Sequence, residues 1–275
     1  MSAGPASPTA GPALRADALA QAVTGGAGGL WTSVRIVAST GSTNADLLAR
    51  GGPEGQVLVA EEQTAGRGRA GRTWVSQPGA SLTFSVLLRP ASVPPSARGW
   101  LPLLTGVAVA AGVRSAAGVA ASLKWPNDVL VGDRKLAGIL AEQSSDGDAV
   151  VVGVGLNVAT PQHALPVSPA GLPATSLLVE GADAARETLL VEILRSLERW
   201  YLGFRADPDP VRSGLLAEYR AACATLGRQV RVELPAGRVL AGVAEDVDPG
   251  GRLLVRPADA AAATPISAGD VIHLR

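Results

Sequence analysis

The chain of 275 residues reads as an α+β protein: a mixed, mostly antiparallel sheet flanked by helices, with a small β-barrel at its C-terminal end. Three observations predict this. Short apolar runs separated by turn residues recur between residues 57 and 158. Two longer segments, 100–117 and 184–204, read as helices, one uniformly apolar and one with apolar residues recurring at three and four. Beyond Gly227 the texture changes to short strands joined by Gly- and Pro-containing turns, as in small all-β units.

In chain order, the first 12 residues, rich in Ala, Gly, Pro and Ser, read as a tail, and 1–33 as a flexible N-terminal segment. Ser42 to Leu48 carries a Thr43-x-x-Asp46 capping pattern and runs to Gly51-Gly52, which predicts a short helix. Val57 to Glu61 and Leu82 to Leu88 read as strands, the latter with partial alternation. Trp100 to Ala117 is an Ala-rich apolar helix. Ser122 to Lys124 is a short strand closed by the turn-forming run Trp125-Pro126-Asn127-Asp128. Val129 to Val131 and Lys135 to Glu142 flank Gly132-Asp133-Arg134 as a hairpin, and Val150 to Val158 pairs with the second of them. Pro161 to Pro173 reads as a surface loop. From Ala184 to Phe204 the apolar residues Leu189, Leu190, Ile193, Leu194, Leu197, Trp200, Tyr201 and Phe204 recur at three and four, so this helix is amphipathic and covers the sheet. A further helix is expected near Val211 to Ala224, followed by strands at 229–234, 238–246, 252–256 and 270–274.

Hydrophobic residues make up 47% and charged residues 17% of the chain, with a formal net charge of zero. That balance disfavours a dedicated nucleic-acid binder, which needs a broad basic face. Any polyanion site must be local. The one cysteine, Cys223, excludes an internal disulfide, and His163 and His273 are too far apart for the usual zinc spacings. No run approaches the roughly 18 apolar residues of a membrane helix, and no signal-peptide order opens the chain, so a cytoplasmic protein is expected. Lysine appears only as Lys124 and Lys135, eleven residues apart in an otherwise Arg-rich set of cations.

The sharpest local feature is Gly66-Arg67-Gly68-Arg69-Ala70-Gly71-Arg72-Thr73-Trp74. Glycines open the backbone amides to a ligand, and guanidinium forks bind phosphate or carboxylate oxygens in pairs. The Trp offers a flat face. Mutual repulsion among three arginines predicts a loop that is mobile when empty and orders on binding. Gly66-x-Gly68-x-x-Gly71 has the letters of a dinucleotide fingerprint, but no helical pattern follows before Pro78. No kinase signature or Walker A string accompanies it either.

Read together, Ser42-Thr43-Asn44, Gln63 to Trp74, Lys124-Trp125-Pro126-Asn127-Asp128, Lys135-Leu136-Ala137-Gly138-Ile139-Leu140 and Gly153-Val154-Gly155-Leu156-Asn157 stand in the order seen in biotin protein ligases. The resemblance spans about residues 34–275. It implies a catalytic domain over 34–224 that resembles class II aminoacyl-tRNA synthetases, and an SH3-like C-terminal domain over 225–275. It also implies two substrates, biotin and ATP with Mg2+, an intermediate, biotinyl-5′-AMP, and an acceptor, a lysine on the biotin carboxyl carrier domain of acyl-CoA carboxylases.

By resemblance, Ser42, Thr43, Asn44 and Gln63 read the ureido head of biotin, whose carbonyl accepts and whose two N–H groups donate. Arg67, Gly68 and Arg69 border biotin and its activated carboxyl, with Gly138 beside them. Lys135 stands at the carboxyl-phosphoryl junction, and it joins Arg67 and Arg69 as the catalytic set. Arg69, Arg72, Trp74, Lys124, Asn127, Asp128 and Asn157 are assigned to ATP, Trp74 stacking on adenine; the metal ligands are not assigned. Taken alone, Ser42 and Thr43 are ordinary helix caps, Asn127-Asp128 turn residues and Lys135 the end of a hairpin. Bifunctional members of the family carry a DNA-binding winged helix. The roughly 35 residues before the resemblance are too few and too Ala/Gly-rich for one, so no DNA binding is expected. Lipoate ligase chemistry on a similar architecture, and a non-catalytic binder of single-stranded nucleic acid, are the competing readings.

Overall fold

The computed structural model describes residues 13–24, 29–166 and 172–274. The expected tail 1–12 and part of the 161–173 loop lie outside them. Seven strands form one sheet: β1 (Ser33–Thr40), β2 (Gln56–Gln63), β3 (Ser81–Leu88), β4 (Ser122–Lys124), β5 (Asp128–Val131), β6 (Arg134–Gln143) and β7 (Val150–Asn157). Their order across the sheet is β1-β2-β3-β7-β6-β5-β4. Only β1 and β2 run parallel, linked by the helix α2 (Thr43–Arg50), because parallel neighbours need a crossover. The remaining ladders are antiparallel, as the sequence predicts.

The strand β3 decides what lies on each face. Leu82, Phe84, Val86 and Leu88 join the main core, while Leu87 packs in a smaller cluster with Leu47 and Leu58 under α2. Alternation along a strand puts Thr83 and Ser85 on that same α2 face. The main core is closed by α3 (Trp100–Ala117) and α4 (Arg186–Ala206), which pack on each other, with Leu189, Leu190, Ile193, Leu194 and Leu197 all fully buried. Each such side chain contributes about 1.5–3 kcal/mol on leaving water. The segment from Pro95 through α3 has the length and composition to cross a membrane, yet 67% of its 18-residue apolar window is buried in the fold, so it is a core helix.

Two stretches differ from their sequence reading. Within 1–33, expected to be flexible, α1 (Ala16–Val23) is a helix beside β1 and α4. Leu14, Leu19, Leu30 and Trp31 are buried, and the Trp31 indole N–H donates to the Leu194 carbonyl at 3.1 Å. These few anchors stand far apart among Ala and Gly, which hides them. The expected barrel is an open five-stranded antiparallel sheet. Its strands are β8 (Gln229–Glu233), β9 (Val239–Val247), β10 (Leu253–Arg256), β11 (Thr264–Ile266) and β12 (Asp270–His273), in the order β11-β10-β9-β8-β12. The three-residue β11, with Pro265 at its centre, forms one edge and β12 the other, with no ladder joining them. The helix α5 (Leu215–Ala222) leads into this sheet.

Candidate active site

Polar side chains converge on the α2 face of the large sheet. Ser42 caps α2, its hydroxyl accepting from the Ala45 amide at 3.5 Å. The Thr43/Asp46 capping pair suggested by the sequence does not form, because Asp46 accepts from the Thr40 hydroxyl at 2.7 Å. Thr43 is thereby left to face the strands. Its amide and hydroxyl both donate to Gln63 Oε1, at 2.8 and 3.0 Å, and its Oγ1 lies 2.6 Å from Ser85 Oγ. Ser85 donates to Asn44 Oδ1 at 2.6 Å, and Asn44 Nδ2 donates to Glu142 Oε2 at 2.8 Å. Arg67 closes the chain on Glu142, its Nη2 3.3 Å from Oε2. These contacts run as one connected network from Gln63 to Arg67, in which either Thr43 or Ser85 can be the donor between their hydroxyls.

Glycines form the floor. Gly138 of β6 is the ladder partner of Gly155 of β7, and Leu140 that of Gly153. A Cβ on Gly155 would stand 2.1 Å from Trp74 Cε2, and one on Gly153 would stand 2.3 Å from Asn44 Oδ1. The Gly-Val-Gly spacing therefore places two bare positions on one strand face, where the indole and the amide lie against the backbone. Above this floor is a pocket lined among others by Ser42, Thr43, Asn44, Gln63, Arg67, Gly68, Trp74, Lys135 and Gly138. Two of its lining residues carry buried polar atoms without a protein partner, Thr83 Oγ1 and Trp74 Nε1.

At one end of the pocket Lys135 holds two positions at once. Its Nζ lies 5.8 Å from the Trp74 ring centroid and 2.6 Å from Asp128 Oδ1. Lys124, the ladder partner of Asp128 across the β4–β5 turn, sits 3.6 Å from the other carboxylate oxygen. Burial lowers the Lys124 pKa and the neighbouring Lys135 charge lowers it further, with Asp128 opposing both. Two ammonium groups sharing one carboxylate leave a net positive charge in a partly desolvated place, which favours an incoming anion.

Beyond Lys135 a second, larger cleft opens between the two sheets, lined by Arg69, Trp125, Pro126, Asn127 and Gly251, among others. The Trp125-Pro126 bond is cis. Arg69 donates to Asn127 Oδ1 at 3.1 Å and to the Gly269 carbonyl at 3.5 Å, and Arg72 pairs with Asp270. The Trp125 and Trp100 indoles donate to the carbonyls of Gly251 and Pro249, at 3.0 and 2.8 Å, and so pin the β9–β10 turn over the cleft. Behind the cleft the Trp125 amide donates to Thr225 Oγ1 at 3.1 Å, and that hydroxyl lies 3.1 Å from His273 Nε2. Burial, then the Lys124 and Arg228 charges, hold the His273 pKa down at about 4.

The Arg-rich loop was expected to be mobile because its cations repel one another. In the structure each is directed elsewhere: Arg67 to Glu142, Arg69 to Asn127 and Arg72 to Asp270. The loop is a narrow hairpin closed by Gly68 N–H to the Arg72 carbonyl at 2.6 Å and Trp74 N–H to the Gly66 carbonyl at 2.9 Å, with Ala70 at φ 53° at its tip.

Of the residues assigned from the sequence, Ser42, Thr43, Asn44, Gln63, Arg67, Gly68, Lys135 and Gly138 meet in the first pocket. Arg69 and Asn127 meet in the cleft, with Lys124 and Asp128 at the junction. Three others lie apart from the cleft. Trp74 lines the first pocket, Arg72 points outward to Asp270, and Asn157 is buried, donating to the Thr175 carbonyl at 2.9 Å. Thr83, Ser85 and Glu142 were not foreseen, although the polar alternation of β3 is a signal for the first two.

All of the residues lining the first pocket fall within the 20–158 segment that matches the biotin/lipoate A/B protein ligase family, and 225–274 match the biotin protein ligase C-terminal domain. A biotin–[acetyl-CoA-carboxylase] ligase of Mycobacterium tuberculosis is 46% identical over 91% of this chain and 92% of its own length. The bifunctional ligase/repressor BirA of Escherichia coli is 38% identical, over 60% of this chain and 52% of its own length. Among solved structures, the Aquifex aeolicus biotin protein ligase in complex with biotin and ATP superimposes with a TM-score of 0.74 at 28% identity, covering 86% of this chain and 97% of that one. With matches that run through both sheets and through every strand that builds the pocket, the chain belongs to the biotin/lipoate A/B protein ligase family.

Proposed function

We propose that this chain is a biotin–[biotin carboxyl-carrier protein] ligase. It joins biotin to ATP as biotinyl-5′-AMP, releasing pyrophosphate, and then transfers the biotinyl group to a lysine of a carboxylase carrier domain, releasing AMP. The observation that carries this reading is the double placement of Lys135, which lines the first pocket and also contacts Asp128 beside Lys124. A carboxylate tail reaching out of the pocket meets cationic charge there, near the second cleft.

In the first step a biotin carboxylate oxygen forms a bond to the α-phosphorus and pyrophosphate leaves. Both reactants are anions, so positioning and positive charge must carry the barrier. Lys135 and Arg69 take this role, with Arg67 fixed on Glu142 at the mouth. The ureido head is read by Ser42, Thr43, Asn44 and Gln63, whose network is already connected before ligand arrives. In the second step the carrier amine attacks the acyl carbonyl, and AMP leaves against the same cations.

Trp74 lines the biotin pocket with its indole against Gly155, and its role of stacking on adenine is kept. ATP is assigned, with Trp74, to Arg69, Arg72, Lys124, Asn127, Asp128 and Asn157. No group of three or more His, Cys, Asp or Glu that would cage a metal occurs among the described residues. Mg2+ is usually held by one or two carboxylates together with substrate phosphates, and Asp128 is the carboxylate we assign to it. When bound it neutralises triphosphate charge.

We take 34–224 as the catalytic domain, with a synthetase-like mixed sheet, and 225–275 as a C-terminal module of SH3-like strand content left open. The chain is read as a cytoplasmic ligase; relatives named simply as ligases align with it over 92% and 93% of their own lengths. Pyrophosphate release from ATP and magnesium, measured with biotin, with lipoate and with neither, tests the assignment. Release with biotin alone, followed by labelling of an apo carrier domain, is the expected result. Release with lipoate instead would move the substrate, and release with neither would overturn the enzyme.

A further inference from the structure

The polar residues of the pocket differ in how far the protein itself satisfies them. Thr43, Asn44, Gln63 and Ser85 already bond to one another. Thr83, two residues before Ser85 on the same face of β3, does not. It is 3% exposed, lines the pocket, and its Oγ1 is buried without a partner. Burying an unpaired hydroxyl is costly, so such a group in a ligand pocket points to a partner supplied by the ligand.

The register fixes which part of the ligand that is. Ser85 faces Gly153, where the Asn44 amide lies, whereas Thr83 faces Gly155, where Trp74 and then Lys135 lie. Same-face residues on a strand are about 6.6–6.8 Å apart. A bicyclic ligand with its ureido edge at Asn44 and its carboxylate tail toward Lys135 therefore brings its second ring, the one bearing sulfur, level with Thr83. Resting on the biotin assignment above, we propose that Thr83 is a specificity residue whose hydroxyl donates to the ring sulfur of biotin. A thioether is a weak acceptor, so the contact selects more than it binds.

Calorimetric titration of the full chain without ATP separates the possibilities, using biotin and desthiobiotin, which keeps the ureido ring and tail but has no sulfur. The wild-type chain is expected to prefer biotin by more than about fivefold. Thr83→Val should weaken biotin about fivefold or more and desthiobiotin less than twofold, while Thr83→Ser stays near wild type for both. Without ligand, Thr83→Val should melt no lower than wild type, because a methyl replaces an unpaired hydroxyl. Equal weakening of both ligands, no weakening, or no wild-type preference would overturn the proposal. So would a melting temperature several degrees lower, since the hydroxyl would then have a partner within the protein. If the wild-type chain binds neither ligand, the biotin assignment itself falls.

Discussion

Trp74 lies flat on Gly155: a single methyl group there would come within 2.1 Å of the indole carbon Cε2. The indole forms part of the pocket wall only because the strand beneath it is bare.

Gly155→Ala should push Trp74 off β7 and distort the pocket while the ladder to Thr83 survives. Biotin affinity is expected to fall at least tenfold with the melting temperature changed by only a few degrees, as read by titration and scanning calorimetry on one preparation. Unaltered affinity would mean that the wall does not depend on this contact.

Lys135→Ala removes charge at the point where the reacting anions meet and leaves Asp128 with Lys124 alone. Loss of such a charge costs about 10²–10³-fold in rate. Single-turnover formation of the adenylate should slow by about that factor with the fold intact, and Lys135→Arg should not restore it, because a planar fork does not fit a site built for a compact ammonium.

Arg69 bonds Asn127 across the cleft and also reaches the Gly269 carbonyl of the C-terminal sheet. In Arg69→Ala the adenylate should escape and hydrolyse sooner, so release of free biotinyl-5′-AMP during turnover is expected to rise several-fold. An intermediate lifetime equal to wild type would show that the loop does not retain it.

His273 makes stability pH-dependent in a definite direction. Its folded pKa of about 4 lies below the unfolded value of 6.5, so between these limits the unfolded chain binds more protons. This contribution is full above pH 6.5 and is lost as pH falls toward 4. Urea midpoints at pH 7.5 and 5 should differ less in His273→Gln than in wild type, and an identical difference would show that His273 does not titrate this way.

Much of the pocket was legible because short motifs carry it. Ser42 to Asn44, Gln63, the Arg-Gly-Arg run and Lys135 each stand where the chain turns from one element to the next, so letters and local geometry agree. Thr83 and Ser85 were not legible, since in an apolar strand a polar residue announces itself only once the face it shares with α2 is known. The position of Trp74 depends on Gly155, which is 81 residues away and on another strand. The edge strand β1 was missed for a related reason: its outer half is polar and only its ladder with β2 makes it a strand. Closure of the C-terminal barrel depends on whether β11 meets β12, which no local pattern encodes.

The order β1-β2-β3-β7-β6-β5-β4 has β7 filling the gap between β3 and β6. Apart from Glu142, the side chains that hold the pocket's polar end come from the first 85 residues, and its glycine floor comes from 138–155. During synthesis the first half can therefore collapse around its own strands, but it has no ligand pocket until Val150 to Asn157 zip onto β3. A nascent or truncated chain ending before that strand would present the recognition residues without a floor, so the ability to hold substrate arrives in one late step.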